Sequence, residues 1–147
     1  MTKDVGDCAA AELQLGEIVS EDDSIALYED APVVIYDLEE RTARFGEIII
    51  RFAQKIPHSP VNNRPIDQWV GAGTSVGANY CEADGGVSKP DFKYRIGTCR
   101  KEARETKFFL RMVAVAEPDL KSEAREIWRV AHALHRIFGR IWRNANV

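Results

Sequence analysis

The 147-residue chain has only three cysteines and three histidines. Cys8, Cys81 and Cys99 lie far apart, with no C-x-x-C pair. Such a count excludes a disulfide framework and a zinc cage and fits reduced thiols. No apolar run approaches the roughly 18–20 residues of a membrane span. A basic stretch followed by an apolar one is missing at the start, so no secretory signal is visible and a cytoplasmic protein is expected. A bundle di-metal site needs Glu-x-x-His pairs. Glu102, Glu105, Glu123 and Glu126 have no histidine three residues on, and the only histidines are His58, His132 and His135. His132 and His135 lack a carboxylate on their helix face, so no metal or other cofactor is expected. Cys99 falls in an apolar seam where thiols are usually inert, and no catalytic residue is assigned.

Charge is unevenly placed. Residues 1–32 hold nine Asp or Glu and one Lys, a net of −8, whereas residues 33–147 have a net of +5. An acidic arm short of large apolar residues, expected to be flexible, therefore precedes a basic body. The arm could instead cover the body's basic surface.

Beyond Val33-Val34-Ile35-Tyr36, which suits an extended run, the body reads as helix. Asp37-Leu38-Glu39-Glu40 has the form of a capping box. Leu38, Phe45, Ile48, Ile49, Phe52 and Ile56 then follow at helical spacing, until Pro57-His58-Ser59-Pro60 stops the run. Asn62-Asn63-Arg64-Pro65 opens a second helix with a cap and a first-turn proline. Its apolar face comprises Ile66, Trp69, Val70, Gly73, Val76, Gly77 and Tyr80, and Gly85-Gly86 closes it. Ser88-Lys89-Pro90-Asp91 caps a third helix with the seam Phe92, Ile96, Cys99, Ala103, Thr106, Leu110 and Val113. Glu117-Pro118-Asp119 ends it. The fourth places Ile127, Val130, Ala131, Leu134, Ile137, Phe138 and Ile141 on one face. Short loops make successive helices antiparallel, which predicts an all-α, up-down-up-down four-helix bundle over residues 33–147.

Within the second helix, Gly71-x-Gly73-x-x-x-Gly77 approaches a dinucleotide fingerprint. That fingerprint requires a preceding strand, and here the preceding residues are helical. Glycines inside a helix cost about 1 kcal/mol each relative to alanine, so close backbone approach is expected in return. Gly71, Ser75 and Ala78 lie on one side and Gly73 and Gly77 on another, which predicts tight neighbours on both. Ser75, Asn79 and Glu82 form a polar stripe, read as a structural hydrogen-bonded contact with Glu82 meeting Arg100 or Arg104 of the third helix.

Three segments taken together resemble a known family. They are Ser75–Ala83 (SVGANYCEA), Lys89-x-Asp91-Phe92, and Gly97-x-Cys99-Arg100-Lys101-Glu102-x-x-Glu105-Thr106. In this order, and with the opening Asp37–Phe45, they resemble the four-helix-bundle proteins of the 23S rRNA intervening sequence. The resemblance covers roughly residues 36–143. It implies an up-down bundle and a ring-shaped homopentamer. Relatives of that family serve diversity-generating retroelements as accessory proteins that bind nucleic acid and partner a reverse transcriptase. No catalytic residue is established among them.

The residues offer their own support for nucleic acid. Lys89, Lys93, Arg100, Arg104, Lys107 and Arg111 share a narrow arc of the third helix at about 100° per residue. Arg125, Arg129, Arg136, Arg140 and Arg143 do the same on the fourth, with His132 in line. Trp128, His135 and Trp142 run beside that arginine row. A basic stripe edged by aromatics suits RNA or DNA phosphates and stacked bases. Two readings stay open: a nucleic-acid accessory factor, and a scaffold whose stripes dock a partner protein. Tyr94, Phe109 and Met112 lie off the third helix's seam and suggest a self-association surface.

Overall fold

The computed structural model describes residues 37–86 and 88–146. The acidic arm of residues 1–32 and the extended reading of Val33–Tyr36 lie outside the described residues. Among the described residues four α-helices follow one another: α1 (Leu38–Ala53), α2 (Asn63–Asp84), α3 (Lys89–Ala116) and α4 (Lys121–Asn144). A single 3₁₀ turn, Pro118–Leu120, joins the last two.

Local chemistry sets the ends of these helices. The Asp37 carboxylate accepts from the Glu40 N–H at 3.0 Å and starts α1, while Glu40's own carboxylate is taken by Arg44 at 2.7 Å. Ser88 caps α3 by accepting from the Asp91 N–H at 3.2 Å. Asn62 precedes α2 but does not cap it with its side chain. Its amide instead donates to Pro57 O at 2.8 Å and to Glu117 Oε1 at 2.7 Å, tying the α1–α2 loop to the end of α3. Gly85 closes α2 without a left-handed residue, its N–H donating to Cys81 O.

Successive helices pack on each other, whereas α1 and α4 touch sparsely. Lys55 and Glu123 bridge that gap at 2.7 Å beside the ends of α1 and α4. The architecture is the expected all-α antiparallel bundle. Its core gathers Phe45, Ile49 and Phe52 from α1, Trp69 and Val76 from α2, the α3 seam, and Ile127, Leu134 and Phe138 from α4. Each such side chain contributes roughly 1.5–3 kcal/mol on burial. Phe52 and Trp69 meet edge to face at 5.5 Å. Thr42 and Thr106, also buried, hand their hydroxyl protons to the carbonyls of Leu38 and Glu102, one turn back.

Gly73 and Gly77 do admit a close neighbour. A Cβ on Gly73 would lie 2.8 Å from Ile49 Cγ1, and one on Gly77 would lie 3.2 Å from Thr42 Oγ1. The second tight side does not exist among the described residues. Gly71 has open space around it and Ala78 is exposed. Ile48, expected in the core, is 38% exposed, because Ile49 takes the inward position beside it.

Candidate nucleic-acid interface

Packing α3 against α4 brings their two basic rows to the edges of one surface. Between them stand the aromatics of α4. The antiparallel register is fixed by close contacts along the seam between the helices. Lys107 Nζ lies 4.9 Å from the centre of the Trp128 ring and 3.1 Å from His132 Nδ1. Trp128 and His132 are stacked in turn, 5.0 Å apart and 6° from parallel. One step along, Arg100 and Arg143 both approach buried Gly139, where a Cβ would sit 3.8 Å from Arg100 Nε and 3.3 Å from Arg143 Nη1. At the far end Trp142 rests on Gly97, with Lys93 Nζ at 5.1 Å and the Arg100 guanidinium at 5.5 Å from its ring centre.

Cation–π contacts recur along this face, at Trp128 and at Trp142. Each such contact is worth about 0.5–1 kcal/mol at an exposed site. Among the described residues, no carboxylate forms an ion pair with Lys93, Arg100, Arg104, Arg129, Arg140 or Arg143. The half-buried Arg125 has its Nε enclosed without a hydrogen-bond partner. Arg104, Arg129, Arg140 and Arg143 are exposed, while Lys93, Arg100, Lys107, Arg111, Arg125 and Arg136 are half-buried along their stems.

The electrostatic result is visible at His135. Burial first, then the positive charges of Lys107, Arg100 and Arg104 with His132, lowers its pKa from 6.5 to about 4. Burial is the main reason the imidazole stays neutral, and the neighbouring cations act in the same direction.

The polar stripe meets a different partner from the one expected. Glu82 pairs with Arg95 at 2.5 Å, and Asn79 Oδ1 accepts from the same guanidinium at 3.5 Å. Asn79 also donates to Ser75 O at 2.9 Å. Arg100 and Arg104 lie on the other flank of α3, and Arg100 is turned about 140° around the helix from Arg95. Glu82 and Asn79 thus link α2 to α3 through Arg95, while Ser75 contributes its backbone carbonyl to Asn79 within α2.

Tyr94 is 68% exposed and Met112 is half-buried, whereas Phe109 packs against the core. The outward strip is completed by Phe108, 52% exposed, and Val115. Phe108 and Phe109 meet edge to face at 5.4 Å beside a shallow groove of about 420 Å³, also lined by Lys101, Arg104 and Glu105. Sequence reasoning missed Phe108, Val115, Arg95 and the seating glycines Gly97 and Gly139. Interior helical glycines placed beside large side chains were the available signal.

Among the described residues, no three His, Cys, Asp or Glu side chains gather to hold a metal ion, and no helix is long and apolar enough to cross a membrane. Cys99 is buried, its S–H donates to Val76 O at 3.4 Å, and burial pushes its thiol up to about 12. It has no nucleophile's environment.

No protein-family model and no curated protein matches the chain. Among solved structures, the fold is similar to a protein of unknown function from the S23 ribosomal protein family of Bacteroides thetaiotaomicron. The two share 23% sequence identity with a TM-score of 0.63, over 72% of this chain and 98% of the other. The bundle is shared with that protein.

Proposed function

We propose that this chain is a non-enzymatic accessory protein of the 23S rRNA intervening sequence type that binds RNA or DNA through the α3–α4 face. The observation that carries the reading is the two cationic rows beside the aromatic edge, with Lys93 and Arg100 over the Trp142 ring and paired to no carboxylate among the described residues. Phosphates are the natural counter-charge for such a surface. The motif resemblance and the shared bundle agree with it.

Self-association belongs to the same reading. The exposed strip of Tyr94, Phe108 and Val115 supports a contact between subunits, and the resemblance implies five of them. A ring would repeat the basic face and multiply a weak field. The test is mass by light scattering, with and without a short structured RNA, at low and moderate salt. A mass near five subunits that rises with RNA only at low salt is expected. A monomer indifferent to RNA at low salt refutes both parts of the reading. Capture of one protein after nuclease treatment would favour the partner-protein scaffold instead.

A further inference from the structure

Resting on that reading, we infer that the α3–α4 face is built for single-stranded nucleic acid, with Trp142 as the platform on which a base stacks. The three aromatic positions of α4 are not equivalent. Trp128 already has a ring stacked on it, that of His132. His135 is half-buried. Trp142 is 36% exposed and has no aromatic neighbour stacked on it among the described residues.

Its seat is specific. The pyrrole side of the indole rests on Gly97, where an added Cβ would come within 3.1 Å of Nε1. The α3 backbone thus lies close against the ring, and a Cβ at position 97 would push the indole outward by a few tenths of an ångström. Lys93 Nζ and the Arg100 guanidinium lie over the ring, 5.1 and 5.5 Å from its centre. A base that stacks on the indole displaces one of these flexible side chains from the ring face, and its phosphates then meet both cations. The cations also polarise the ring and hold it in place.

Duplexes cannot use this arrangement, since their base faces are occupied by neighbouring pairs. A single strand offers both the π face and the phosphate. Stacking of this kind tolerates any base, so the face discriminates by strandedness rather than by sequence.

The experiment uses the full chain and fluorescence anisotropy at low salt, with labelled oligothymidylate, oligouridylate, an abasic oligonucleotide of equal length, and a duplex. Base-bearing single strands are expected to bind about 5- to 100-fold more tightly than the abasic strand. Trp142→Ala should erase that difference, and Trp142→Phe, which keeps a π face, should retain most of it. Equal affinity for base-bearing and abasic strands overturns the inference, as does a Trp142→Ala protein that keeps the preference. A preference confined to oligouridylate also overturns it, since contact with the 2′-hydroxyl would then be the cause. If no probe binds at low salt, the nucleic-acid reading itself falls, an outcome distinct from equal binding of all probes.

Discussion

Two glycines of α2, two residues apart, should respond to the same substitution in opposite directions. Replacing a helix-interior glycine with alanine stabilises by about 0.5–1 kcal/mol when the new methyl meets nothing. At Gly71 nothing lies within 4 Å, so Gly71→Ala should give that gain undiminished. At Gly73 the methyl would come 2.8 and 2.9 Å from the two γ-carbons of Ile49 and 3.1 Å from Cδ1. Ile49 is fully buried and stiff at χ1, so α1 itself must back away. Overpacking of this kind costs about 1–3 kcal/mol. Gly73→Ala should therefore fall roughly 1–3 kcal/mol below Gly71→Ala, measured by urea unfolding followed through helical circular dichroism. Ile49→Ala removes the atoms in the way, so in that background Gly73→Ala should turn stabilising. A Gly73→Ala protein as stable as Gly71→Ala, or a clash that survives in the Ile49→Ala background, would refute the close approach of α1 to α2.

Other consequences concern titration and reactivity. His135 has a folded-state pKa of about 4 against an ordinary 6.5, so the unfolded chain binds more protons between those values. Stability should rise with pH across that window and be lost on acidification. Screening at a half-buried site reduces the contribution to about 1–2 kcal/mol, seen as a shallower pH dependence in a His135→Gln variant. A thiol reagent should modify exposed Cys81 in the native protein and reach Cys99 only on unfolding, as mapped by peptide mass; native labelling of Cys99 would contradict its burial.

Much of the fold was legible because the α3 seam alternates steps of four and three. Ile96, Cys99, Ala103, Thr106, Leu110 and Val113 are all buried as that spacing requires. Thr42 escaped notice because a hydroxyl reads as polar until its bond to the carbonyl one turn back hides it. Each basic row could be drawn from helical periodicity alone. The meeting of the rows around Trp128 and Trp142 depends on register between two helices, which periodicity within one helix does not contain. The same limit explains Arg95: a glutamate on α2 can face either flank of α3, and only packing selects the flank.

The sparse contact between α1 and α4 has a kinetic meaning. Almost every interface joins helices adjacent in sequence, which keeps loop closure cheap and favours rapid folding. Among the described residues it also leaves α1 leaning mainly on one neighbour, while α2 and α3 each have two. The helix carrying Phe52 is then the natural first piece to detach in a partial opening. Its departure would uncover Trp69, whose buried indole N–H has no partner inside and gains one from water.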